Sequence, residues 1–238
     1  MITVENLCKS FGKIPVLKNI SFEIQKGNVI GFLGINGAGK TTLMRILTTY
    51  LRSTSGRVTI DGISLENDSL EVRRRIGYLP ENPPLYPQMT VKDYLRFAAQ
   101  LKDVPHRQIP SNVSRVLDEC QLKDVADKTI QYLSKGFKQR VGIAQAIIHD
   151  PQLIILDEPT NGLDPIQIQH VRKLIKDLEA TRTVIISTHI LSEIEQLAKR
   201  VIIIKDGQLL ANENMAELLQ HSSLEKMFLK LNGDEKYE

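Results

Sequence analysis

GINGAGKT, residues 34–41, fits the spacing G-x-x-x-x-G-K-[ST] and follows the unbroken apolar run VIGFLG (29–34). No other stretch constrains the fold so tightly. A strand has to end there, a tight turn has to follow, and KTTLMRILTTYL (40–51) has to start a helix. Only then do the amides of the turn and the first helical turn converge on one point. Gly34, Gly37 and Gly39 let the backbone curl inward, so that the amides of Asn36, Gly37, Ala38 and Gly39 face an anion and Lys40 reaches its outer oxygens. The Thr41 hydroxyl is placed for Mg2+, with Thr42 one residue deeper toward the phosphates. A plain glycine-rich connector is the competing reading, and the strand before it and helix after it weigh against that.

LIILDEPT (153–160) supplies acids to match. A buried apolar strand ends in Asp157, which would hold Mg2+ through water, and Glu158 beside it can orient or deprotonate a water attacking a γ-phosphate. A simple turn before Pro159 would also place these acids; the phosphate loop upstream favours the catalytic reading. His189, in IISTHIL, follows another buried strand. Such a histidine is more often a structural cap, but its place at the same kind of strand edge sets it above the other four. No guanine-recognition Asn-Lys-x-Asp motif and no kinase catalytic loop is present, which disfavours those two phosphoryl-transfer classes.

These pieces sit in an α/β chain. ITVENL and ISFEI read as an antiparallel N-terminal sheet, and GRVTI with Asp61-Gly62 as a further strand. From Pro80 a proline-rich loop leads into the helical patterns VKDYLRFAAQL and SNVSRVLDECQL. LIILD, TVIIS and VIIIK alternate with helical stretches, the pattern of a mainly parallel sheet flanked by helices. The expected fold is therefore a P-loop NTPase core with an N-terminal antiparallel β subdomain and a helical insertion at about 82–150. The last thirty residues read as mixed helix ending in the polar tail NGDEKYE.

With 31 Lys plus Arg against 28 Asp plus Glu, the net charge of +3 is well mixed and offers no basic block for nucleic acid or an acidic membrane surface. Cys8 and Cys120 lack metal-site spacing, and no export signal or membrane-length apolar run is visible. A cytoplasmic location is expected.

LSKGF (133–137) opens a helix running toward Pro151 and makes a second anion-type helix start in a chain that already has one. The order P-loop, LSKGF, LIILDEP, then a histidine after a strand resembles the ATP-binding subunits of ABC transporters across about residues 2–215. Residues 216–238 would then be a helical extension and polar tail. LSKGF stands where that family has LSGGQ. The resemblance implies two cassettes paired head to tail, with Ser134 and Gly136 binding the γ-phosphate of the partner's ATP. It implies Phe11 stacking on adenine with Val16 beside it, NGLD (161–164) as the D-loop, and His189 as the switch residue at the γ-phosphate. Asp164 before Pro165 is explained equally well as a plain helix N-cap.

Two residues depart from the family pattern. Phe137 replaces the signature glutamine, and Glu81 stands where most members have a glutamine that senses Mg2+ and the attacking water. Both departures resemble the single-cassette exporter branch, of which the gliding-motility type is the nearest in IGYLPENPPLY and LSKGFKQRVG. The resemblance implies ATP and Mg2+ as cofactors, an integral membrane permease as partner, a second copy or a paralogous cassette, and a peripheral place on the inner face of the plasma membrane. A soluble single-cassette ATPase of the assembly-factor type stays open as the alternative.

Overall fold

In the structure, a computed structural model that describes residues 1–221 and 223–232, the chain opens with strands β1 (Ile2–Phe11), β2 (Ile14–Ile24) and β3 (Val29–Leu33). Helix α1 (Lys40–Leu47) follows, then β4 (Ser55–Ile60), β5 (Ile63–Ser64), α2 (Ser69–Arg75) and β6 (Ile76–Leu79). Three helices come next: α3 (Val91–Leu101), α4 (Ile109–Glu119) and α5 (Lys135–Ile147). The remainder alternates: β7 (Leu153–Asp157), α6 (Pro165–Glu179), β8 (Thr183–Thr188), α7 (Leu191–Leu197), β9 (Arg200–Lys205) and β10 (Gln208–Asn214), then α8 (Met215–His221) and α9 (Leu224–Asn232).

Two compact units divide these elements, one of Met1–Arg73 with the described residues from Thr183 onward, the other of Arg74–Arg182. The first unit holds an antiparallel sheet ordered β2-β1-β4-β5 and the strand run β10-β9-β3-β8. In that run β9, β3 and β8 are parallel and β10 is antiparallel to β9. All five residues of β3 and all six of β8 are buried, as expected of central strands covered on both faces. The alternating burial of β2 marks a sheet with one wet face.

The second unit pairs β6 with β7 in parallel and sets α3, α4 and α5 beside them. Here α5 lies hard against β6. A Cβ on Gly142 would meet the Leu79 side chain at 2.6 Å and Pro83 at 2.9 Å, so only glycine allows the approach. Gln145 Nε2 donates to Tyr78 O at 2.9 Å, and the His149 ring bonds Ile76 O at 3.1 Å. The Gln145 and His149 side chains, from α5 and just beyond its end, satisfy carbonyls of β6 that its pairing with β7 leaves over.

The sequence pattern runs to Leu51 for α1, yet the helix stops at Leu47. Thr48 Oγ1 turns back onto Met44 O at 2.9 Å, and Thr49 takes a left-handed φ of 61°. β10 occupies the start of the region expected as helix; its polar residues suit an edge strand, which shows no buried apolar run. Of the polar tail NGDEKYE, residues 233–238 lie outside the described residues.

Candidate functional site

In the first unit, β3 and β8 pair with Leu33 opposite Thr188, and Leu33 also faces Ile203 of β9. Strands in this register end together. The loop 34–39 and the turn carrying His189 therefore leave one carboxyl edge, where ligands of open α/β sheets gather. Gly39 caps α1 with φ 106°, which side-chain-bearing residues rarely adopt, and a Cβ there would also meet Leu17 at 2.7 Å. The loop is closed from outside as well: Gly207 N donates to Ala38 O at 3.1 Å and Lys18 N to Gly207 O at 2.7 Å.

Lys40 is buried, 6% exposed, with Nζ donating to Gly34 O at 2.7 Å and to Ile35 O at 3.2 Å. Its ammonium is thus held in the crook of its own loop. Thr41 and Thr42 follow, both half-buried, in the first helical turn. Glu193 braces the turn of His189: Thr188 Oγ1 donates to its Oε2 at 3.0 Å and accepts from Ile190 N at 3.1 Å. His189 itself is exposed. The β1–β2 hairpin brings half-buried Val16 against the loop, since its carbonyl would lie 3.2 Å from a Cβ on Gly39. Phe11 sits at the hairpin tip, half exposed at 50%, with Lys9 Nζ 5.0 Å from its ring centre.

The second unit builds a matching edge. β6 and β7 pair with Leu79 opposite Leu156, so Glu81 comes just after the end of one strand, and Asp157 ends the other with Glu158 next to it. Asp157 is 1% exposed and Glu158 7%. Glu158 has φ 49°, a left-handed backbone that a non-glycine residue keeps only where its surroundings hold it. Asn161 holds it in part, with its N–H donating to Glu158 O at 3.2 Å; the Asn161 side chain donates to Glu81 Oε1, also at 3.2 Å. Glu81 is exposed. The D-loop ends in Asp164, whose Oδ1 accepts from Ile166 N and Gln167 N at 3.0 Å each and so caps α6.

Ser134 caps α5, accepting from Phe137 N at 3.4 Å. The Lys135 ammonium lies against Gly162, where any Cβ would displace it, and Gly136 is covered in the same way by the Gln167 side chain. Phe137, at the place of the signature glutamine, stacks under the Arg140 guanidinium at 4.3 Å. Its ring extends the packing of the helix where the family pattern has a polar side chain.

A protein-family profile described as "ABC transporter" matches residues 17–161, more than half of the chain. The chain belongs to the ABC transporter family. It is 38% identical over 231 residues to the lantibiotic transport ATP-binding protein SrtF of Streptococcus pyogenes, covering 94% of this chain and 98% of that one. It is 41% identical over 212 residues to the bacitracin transport ATP-binding protein BcrA of Bacillus licheniformis, covering 88% and 68%. The dimeric ATP-binding cassette MJ0796, in a post-hydrolysis state bound to ADP and Pi, superposes with a TM-score of 0.81 at 28% identity over 90% of this chain and 99% of that one. As an ABC cassette the chain is an ATP-binding subunit and an ATPase.

Four cassette residues beside the site escaped the sequence reading. Asn161 and Lys135 belong to motifs recognised for other residues, and Gln167 lies just beyond the D-loop in α6. Gly207 had a local signal, the Asp206-Gly207 turn between VIIIK and QLL, but nothing in the pattern pointed it at Ala38.

Proposed function

We propose that two copies of this chain close head to tail on two molecules of ATP, hydrolyse them, and thereby drive an exporter whose transmembrane subunit is a separate permease. The near end-to-end match to SrtF, named for lantibiotic transport, is the observation that carries the exporter reading. BcrA, named for bacitracin transport, adds to it. Among the described residues no helix is long and apolar enough to cross a membrane. The proposed location is the inner face of the membrane, through the permease. Residues 1–215 form the cassette in this reading, with its helical part at about 82–150 and an extension beyond 215.

In the proposed cycle the amides of 36–39 and the Lys40 ammonium bind the β- and γ-phosphates. Phe11 and Val16 take the adenine side, and the Thr42 hydroxyl assists the loop. Thr41, Asp157 and Glu81 offer only oxygen donors, the set that suits Mg2+. No group of three or more His, Cys, Asp or Glu among the described residues could hold a metal alone, which fits an ion that takes its other ligands from phosphates and water. Bound there, Mg2+ would neutralise charge on the β- and γ-phosphate oxygens. Glu158 takes the proton of the attacking water, and His189 donates to the γ-phosphate. Ser134 and Gly136 of the partner complete the phosphate's ligation. Loss of the γ-phosphate removes what the two chains share, and they part.

Glu158→Gln is expected to bind ATP, accumulate a closed dimer and lose about 10²- to 10⁴-fold in turnover, the range for removing a general base. An affinity-tagged Glu158→Gln chain in its native cells, extracted in mild detergent with ATP, should bring down a polytopic membrane protein in equal amount. A soluble protein in its place would overturn the exporter reading in favour of the assembly-factor alternative.

A further inference from the structure

Asn161 bonds both carboxylate-bearing turns of the second unit. Its peptide N–H closes the turn on Glu158 O, and its side-chain amide reaches Glu81 Oε1, each at 3.2 Å. Glu81 lies 80 positions away in sequence, so this is a tertiary bond and not a local turn. An ionised carboxylate can only accept, so it is the Nδ2 of Asn161 that faces it, and the bond is charge-assisted. The pairing is chemically particular. An aspartate at 161 would set two acceptors against each other, whereas a glutamine at 81 would leave Asn161 a neutral partner.

We infer that Asn161 is a positioning residue for the metal-side carboxylate: through its side chain it holds Glu81 in one place, and through its backbone it ties that place to the turn bearing Glu158. Glu81 is exposed and on a loop. Without a partner its side chain would have to be ordered when Mg2+ arrives. Ordering one such side chain beforehand is worth about a three- to tenfold gain in metal affinity. The inference rests on the reading of Glu81 as a metal-side group. It accounts for the joint presence of a carboxylate at 81 and an amide donor at 161, and it makes the metal step, not nucleotide binding, the step that Asn161 controls.

The test uses the full chain in the Glu158→Gln background, so that ATP persists, with Mn2+ as probe and free Mn2+ counted by electron paramagnetic resonance. ATP affinity without metal is measured alongside by equilibrium dialysis in EDTA. Asn161→Ala should weaken Mn2+ binding about three- to tenfold and leave metal-free ATP affinity unchanged; Asn161→Asp should weaken it more. Glu81→Gln combined with Asn161→Asp restores a donor–acceptor pair with the charge on the other side. Its loss should be clearly smaller than the product of the two single losses. If Glu81→Gln alone leaves Mn2+ binding at the parent level, the metal-side reading fails and the inference with it. If Glu81→Gln weakens Mn2+ binding but the Asn161 variants do not, or the double variant shows the full product, the positioning role alone is overturned. Equal losses in metal-bound and metal-free ATP affinity would also overturn it, as the mark of a merely structural residue.

Discussion

Helices α1 and α5 begin in the same way and end up with different means. Each has a lysine as its first helical residue, Lys40 and Lys135, and neither has an acid in its first turn. Helix dipoles favour acids there and disfavour lysine by about 0.3–1 kcal/mol. The chain follows the usual preference at α3, with Asp93 in the first turn, and at α7, with Glu193; α4 and α6 have no acid there, but neither do they open on a lysine. Two starts have thus been made electropositive against the local preference. At α1 the cap is Gly39, which has no side chain to bond the first amides, and the lysine is buried over its own loop. At α5 the cap is Ser134, its hydroxyl bonds Phe137 N, and Gln167 covers Gly136. In the proposed cycle the first start is a complete anion cradle and the second is half of one, with its other half on a second chain.

The largest expected effect therefore falls on α1. Lys40→Ala should cut turnover on the order of a thousandfold and weaken ATP binding to the isolated chain, because it removes a charged donor from the phosphates themselves. ATP binding near the parent level in that variant would break the comparison at its stronger side. Next comes Ser134→Arg, expected to cost on the order of a hundredfold in turnover through a misplaced phosphate partner. ATP affinity of the monomeric chain should stay as in the parent if α5 serves another molecule's nucleotide, as proposed; fluorescence titration of a labelled nucleotide decides this.

Two smaller effects sharpen the contrast between anion-binding and ordinary helix starts. Asp164 accepts from two amides of α6 and has the full geometry of an N-cap. Asp164→Ala should lower stability by about 1 kcal/mol, a shift of about 2–4 °C in melting temperature for a chain of this size. At the far end of α5, burial, reinforced by the Lys102 ammonium, pushes His149 down to about 3 from its ordinary 6.5. The folded state therefore resists the proton that the unfolded state accepts below 6.5. The stabilising difference is complete above that pH and is lost progressively as pH falls toward 3. Between pH 6.5 and 5.5 the parent should lose about 1 kcal/mol more than His149→Gln does, measured by urea unfolding at the two values.

What the sequence made legible follows from how local each signal is. The β3–loop–α1 unit was legible but for the end of α1, because a strand run, three glycines and a lysine lie within a dozen residues and each has one physical reason. Asp157, Glu158 and His189 were legible as residues after buried strands, the parallel register of β3 with β8 and of β6 with β7 being what a βα alternation demands. The role of LSKGF was not contained in its residues: Ser134 and Lys135 describe a capped helix start, and only the family resemblance made it a signature. Edge strands β6 and β10 were missed or misread because, among the described residues, one side of each meets no neighbouring strand, so neither shows the long buried run of β3 or β8. Contacts such as Asn161 with Glu81 join residues 80 apart, and no local pattern announces them.

We propose that the half-site at α5 acts on the nucleotide of another chain. It is tested most directly by mixing two purified variants, Ser134→Arg and Glu158→Gln, each nearly inactive alone, and measuring phosphate release. Random pairing makes about half of the dimers mixed, and each mixed dimer carries one site with both an intact Glu158 and an intact opposing Ser134, so about a quarter of parental activity should return. No recovery on mixing, with dimers confirmed by light scattering, would mean that Ser134 serves the ATP of its own chain and would contradict the account.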